Sequence, residues 1–145
     1  MFLQKLTQPL KKATLLGVAF LLPLLAIAQN PNVGTDDGAD DRLRVIAIFA
    51  HPDDAESKMG GTAALMAQVG HAVKFVSITS GDAGHQSQGG GALAKRRRAE
   101  AQEAGRRLGI DEYVVLDNHD GELLPELHIR QQVIREIRKW NADVV

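Results

Sequence analysis

The sequence predicts a Rossmann-like, three-layer α/β/α fold with a mostly parallel sheet, and three observations carry that reading. Short β-rich apolar runs alternate with segments of helical period along the chain. The runs are separated by stretches long enough for helical crossovers, which parallel neighbours require. The first run is apolar throughout, as expected of a strand covered on both faces. The implied order is β-α-β-α-β-α-β, with right-handed crossovers as the default.

Taken in order, the first 28 residues stand apart. Lys5, Lys11 and Lys12 give a basic start, Ala13 to Ala28 is an apolar run broken by Gly17 and Pro23, and Ala26-Ile27-Ala28 is a small-x-small site. This is the pattern of a secretory signal peptide cleaved before Gln29. The run is short for a membrane span of about 20 residues and carries a proline, so no stable insertion is expected after cleavage. The mature chain has 117 residues, and its formal charge moves from −1 to −4. An acidic chain gives no reason to expect nucleic acid or an anionic membrane as partner. Residues 29–43 read as a flexible leader, rich in Asn, Asp, Gly and Pro. With no cysteine in the sequence, disulfides, thiolate metal sites and cysteine nucleophiles are excluded. The predicted location is periplasmic or extracellular.

Val45 to Ala50 is the first strand. Glu56 to Val69 is helical, with Met59, Ala63, Met66 and Ala67 at helical spacing and Gly70 ending it. Val73 to Thr79 is the second strand. A loop over 81–91 holds glycines 81, 84, 89, 90 and 91. A charged helix from Ala92 to Leu108 stops at Gly109, Tyr113 to Leu116 is a short strand, and Leu127 to Trp140 is a helix striped by Ile129, Val133, Ile134 and Ile137. Asp143-Val144-Val145 reads as a fourth strand just starting, so the fold is expected to be truncated there and residues 44–145 to be the front of a longer domain.

Ligands of open α/β sheets bind at the carboxyl ends of the strands. Here the first strand ends in His51-Pro52-Asp53-Asp54, the second in Ser80-Gly81-Asp82 and the third in Asp117-Asn118-His119-Asp120. A histidine and a carboxylate three residues on, in a turn stiffened by Pro52, can both reach one divalent ion. A carboxylate between them can take a proton from a water on that ion. The plainer reading is that Asp54 caps the next helix and His51 is a polar strand-end residue. Position directly after a buried strand favours the metal.

VIAIFAHPDDAE, from Val45 to Glu56, resembles the first strand and metal loop of the LmbE-like (PIG-L) zinc deacetylases. Gly60-Gly61-Thr62, Thr79 to His85, Arg97-Arg98-Ala99-Glu100 with Leu108-Gly109, and Asp120-Gly121-Glu122-Leu123 resemble that family's later motifs in the same order. The resemblance implies a hydrolase that removes acetyl groups from N-acetylglucosamine-type sugars or related small amide conjugates. His51 and Asp54 become Zn2+ ligands, with Fe2+ suited to the same donors. Asp53 becomes the general base that activates the metal-bound water. Arg97 matches a substrate-contacting position, Asp120 lines the pocket, and His85 and His119 are further candidates for substrate binding. The family's third ligand is a histidine in a loop after the fourth strand, which would begin beyond Val145. The piece ending there is expected to be inactive. Ala55 departs from a common family residue but occupies no ligand position.

Other signals have simpler readings. Gly89-Gly90-Gly91 lacks the spacing of a phosphate loop and reads as a flexible substrate-facing segment. Lys95 to Arg98 reads as a solvated helix face with one arginine turned inward, since acids are interleaved and aromatics are absent. His71 and His128 are expected to face solvent. Two rival functions remain: a non-catalytic carbohydrate-binding module or pseudoenzyme on this fold, and a metal-dependent phosphoesterase using the same acidic edge.

Overall fold

Residues 41–145 are described in a computed structural model. The expected signal peptide and residues 29–40 of the leader lie outside the described residues. The elements are β1 (Arg44–Phe49), α1 (Asp54–Gln68), β2 (Ala72–Thr79), α2 (Gly90–Leu108), β3 (Glu112–Asn118) and α3 (Leu127–Trp140). Among the described residues, no helix is long and apolar enough to cross a membrane.

The sheet has the order β1-β2-β3, and both pairings are parallel. A fourth strand is represented by one parallel bridge between Val45 and Val144. Ile46 N–H donates to Val144 O at 3.0 Å and Asp143 N–H to Arg44 O at 2.9 Å. The chain end therefore lies beside β1, on the edge away from β2. The direction of winding reverses between the second and third crossovers.

That reversal explains which helix covers which face. Two crossovers in one direction, both right-handed, place α1 and α2 on the same side, and the reversed third places α3 on the other. Ala55 and Ala63 of α1 and Ala101 of α2 pack against Val73, Phe75, Tyr113 and Val115, with Ala47 and Phe49 alongside. Every second residue of each strand points to this face, as pleating demands. Phe49, Phe75 and Tyr113 cross the three strands edge-to-face, with ring centroids 6.2 and 5.5 Å apart. Each such pair adds about 0.5–1.5 kcal/mol beyond its burial. Small residues on the helices allow close approach. A Cβ on Gly105 of α2 would sit 3.2 Å from Tyr113 Cβ.

The opposite face is built differently. Lys74, in the middle of β2, is 2 % exposed. Its ammonium donates to Glu136 of α3 at 2.8 Å and pairs with Glu112 of β3 at 2.9 Å. Trp140 closes this face, donating from Nε1 to Val45 O at 3.0 Å and lying under the Arg44 guanidinium at 4.4 Å. The apolar stripe expected on α3 is kept in part, with Ile129 buried and Val133 and Ile137 half-buried. Glu136 is buried with Ile129, while Ile134 is turned to solvent at 44 % exposure.

Helix bounds agree with the sequence reading at α3. At α1 and α2 the helices start two residues earlier, at Asp54 and Gly90. Of the histidines expected to face solvent, His71 is half-buried and its Nδ1 accepts the Leu43 N–H at 3.3 Å. His128 is exposed and 3.2 Å from Glu126.

Candidate active site

The carboxyl ends of β1, β2 and β3 bring three loop segments to one edge. Pro52 is buried, and the turn it stiffens is packed against Gly81. Gly81 has φ +67°, and a Cβ there would stand 2.9 Å from Pro52 Cδ. Only glycine serves both needs. The β1 and β2 loops can therefore touch.

Asp54 is the first residue of α1, and the N-cap residue is Asp53, whose side chain makes no cap hydrogen bond. The Asp54 carboxylate turns back to the strand end, where Oδ2 accepts the His51 backbone N–H at 3.0 Å and lies 3.2 Å from His51 Nδ1. The other ring nitrogen, Nε2, is 2.9 Å from Asp120 Oδ1 at the end of β3. Asp53 points elsewhere and is largely exposed. Its Oδ2 accepts from Arg97 Nη1 at 2.5 Å, and Arg97 Nη2 donates to Gly84 O at 3.3 Å. Arg97 itself is only 19 % exposed. Its neighbour Arg98 is also engaged, with Asp117 and the Val115 carbonyl.

His51, Asp53, Gly81, Gly84, Arg97 and Asp120 line a cavity of about 220 Å³. The structure thus gathers His51, Asp53, Asp54, Arg97 and Asp120 at one place. His119 lies beside them, on the wall of a neighbouring cavity with Glu122 and His128. Its Nδ1 is 2.6 Å from Asp82 Oδ2. His85 is outside the group, exposed on its loop, with Nδ1 accepting the Ser87 N–H at 3.2 Å.

Asp82 was visible in sequence as part of an acidic strand end but carried no assigned role. In the structure it is a hub. Oδ1 accepts the Asp120 backbone N–H at 2.8 Å, and Oδ2 faces His119. The Asp120 N–H is the main reason its carboxyl titrates below the usual range, with His119 adding to this against partial desolvation. His119 is correspondingly raised above an ordinary histidine, chiefly by its hydrogen bond to Asp82. The available signal was positional: Asp82 ends the central strand, between the two loops that carry the histidines.

The donor set fits a zinc-type ion in chemistry and in spacing. Nitrogen and oxygen donors about 2.0–2.1 Å from a tetrahedral zinc stand about 3.3 Å from each other. His51 Nδ1 and Asp54 Oδ2 are 3.2 Å apart. They supply two donors. Among the described residues, no group of three His, Asp and Glu side chains is disposed to hold a metal ion.

Comparison with known proteins places these features in context. The family described as PIG-L, GlcNAc-PI de-N-acetylase, matches residues 46–145. Diacetylchitobiose deacetylase of Thermococcus kodakarensis is 31% identical over 108 residues, which is 73% of this chain and 40% of that protein. The N,N'-diacetylchitobiose deacetylase of Pyrococcus horikoshii, solved with an inhibitor, superposes with a TM-score of 0.66 at 34% identity. That match covers 72% of this chain and 40% of the other. A conserved protein of Thermus thermophilus gives a TM-score of 0.59 at 28% identity, over 70% of this chain and 45% of its own. The chain spans less than half the length of these relatives.

Proposed function

Because the chain belongs to the PIG-L family of de-N-acetylases, we propose that it carries the metal loop and general base of a zinc-dependent N-deacetylase acting on N-acetylated amino sugars or related small amides. The observation that carries this reading is the His51–Asp54 edge at metal-ligand spacing, with Asp53 beside it at the mouth of one cavity. Two of the named relatives are diacetylchitobiose deacetylases, which supports the substrate class.

His51 and Asp54 would hold the ion. When bound, zinc would supply Lewis acidity toward the amide carbonyl and toward the attacking water. Asp53 takes the proton from that water as its oxygen bonds to the acyl carbon. Arg97 holds one Asp53 oxygen at 2.5 Å, which fixes the direction in which the carboxylate faces. Cleavage of the C–N bond then needs a proton on the nitrogen, which protonated Asp53 would return. The products are acetate and a free amine. Arg97 and Asp120 line the same cavity and offer a donor and an acceptor to sugar hydroxyls. The relatives are more than twice as long as the matched part, and a third donor is proposed to come from what this chain does not span.

Zinc affinity, measured by calorimetry and metal analysis, tests the centre. Binding of one zinc per chain is expected, weakly for two donors, with loss in His51→Ala and in Asp54→Ala. In the intact protein, Asp53→Asn should keep the zinc and lose acetate release by about 100-fold or more, the usual share of a general base. An intact protein with zinc that released no acetate from N-acetylated amino sugars would end the proposal. Export belongs to the same reading, resting on residues 1–28. N-terminal sequencing of the exported protein should begin at Gln29, and a start at Met1 would refute cleavage.

A further inference from the structure

His51 has a carboxylate against each ring nitrogen, at 2.9 Å on Nε2 and 3.2 Å on Nδ1. A neutral imidazole carries one N–H and can donate on one side only. For the neutral ring a lone pair then faces a carboxylate on the other side, and a bound cation there would relieve that repulsion. The two sides are not equivalent. The Asp54 oxygen at Nδ1 already accepts the His51 backbone N–H, and its spacing is that of two donors on one ion. The Asp120 oxygen at Nε2 sits at ordinary N–H···O length.

Asp120 is also held from behind. Its backbone N–H donates to Asp82 Oδ1 at 2.8 Å, and the side chains of Asp120 and Asp82 are 12 % and 14 % exposed. Asp82 is ionised through the normal pH range, since the Asp120 N–H holds its carboxyl low. A charged oxygen on that amide fixes the backbone from which the Asp120 carboxylate projects.

We infer that Asp82 and Asp120 form a brace that assigns the tautomer of His51: Asp120 accepts the Nε2 proton, and Nδ1 is left as the donor beside Asp54. Asp120 acts directly on the ligand, and Asp82 is a positioning residue acting through the Asp120 amide. A carboxylate behind a metal-bound histidine also raises its basicity as a ligand. The use of the brace rests on the zinc reading above. The tautomer itself does not.

The test is 1H–15N long-range correlation spectroscopy of the chain labelled with 15N-histidine, at about pH 9 where imidazole is neutral. It is run without metal and with zinc alone, beside zinc calorimetry. Without metal, His51 should show a slowly exchanging Nε2–H that disappears in Asp120→Ala. With zinc, the metal-bound shift should fall on Nδ1. Zinc affinity should drop about 10–100-fold in Asp120→Ala, and less in Asp120→Asn, whose amide oxygen still accepts. Asp82→Ala should lower affinity in the same direction by a smaller factor, with circular dichroism unchanged. A metal shift on Nε2, no protected Nε2–H in the metal-free chain, or unaltered zinc affinity in Asp120→Ala would each overturn the brace. A protected Nε2–H lost in Asp120→Ala, in a chain that binds no zinc, would uphold the brace and remove the metal reading.

Discussion

Single residues at this edge are coupled through charge. His119 and Asp82 shift in opposite directions, His119 above 6.5 because of Asp82, and Asp82 below 3.8 chiefly because of the Asp120 N–H. A histidine raised on folding contributes stability that is full below about 6.5 and fades as pH rises through its folded value. A carboxylate lowered on folding contributes above about 3.8 and loses that contribution as pH falls through its folded value. The pair therefore supports the fold most at mildly acidic pH, between those limits, and progressively less on the alkaline side. An NMR titration should place His119 above 6.5, and Asp82→Asn should return it toward that value. A His119 titration unmoved by the substitution would show the contact to be idle. His51, Asp53 and Asp54 were legible in the sequence because they share one turn. Arg97 and Asp120 needed a resemblance to be singled out. Asp82 was missed because it works on a backbone amide 38 residues away, which no residue pattern encodes.

The elements themselves were legible wherever apolar period set them. β1, β2 and the three helices follow from such patterns, and the face of α3 follows only in part. Its stripe of Ile129, Val133, Ile134 and Ile137 implies a purely apolar contact, yet Glu136 is inside and Ile134 outside. The partner of Glu136 is on another element, since Lys74 sits at the centre of β2 under full burial. Burial alone would lower the lysine's pKa, but the hydrogen bonds to Glu136 and Glu112 outweigh it and keep the ammonium charged. Lys74→Met would leave Glu136 buried with only the exposed Lys139, 3.6 Å away, as a cationic partner, at a cost approaching the about 3–5 kcal/mol of a broken buried pair. Replacing both by apolar residues, Lys74→Met with Glu136→Leu, should recover most of that. Urea denaturation of the two variants checks the pair. Equal loss in both would mean that the charges add little and that the shape of the site matters more.

At the scale of the whole molecule, the sequence order of runs predicted parallel pairing and helices on both faces, and those are found. The fourth strand was expected at 143–145, where a single bridge to Val45 stands. The bridge matters for position, because it puts the reversal of winding beside β1, the strand that delivers His51. Loops from β1, β2 and β3 then meet on one edge although they are far apart along the chain. His51 and Asp54 are three residues apart, while Arg97 reaches Asp53 over 44 residues and Asp120 reaches His51 over 69. Those separations set an order in time. The His51–Asp54 corner can close with the first crossover, whereas the loop-closure entropy of the others must be met before they reward the chain. The Nε2 side of the His51 ring therefore stays open until β3 docks, so the ring is held on both sides only once distant parts of the chain have met.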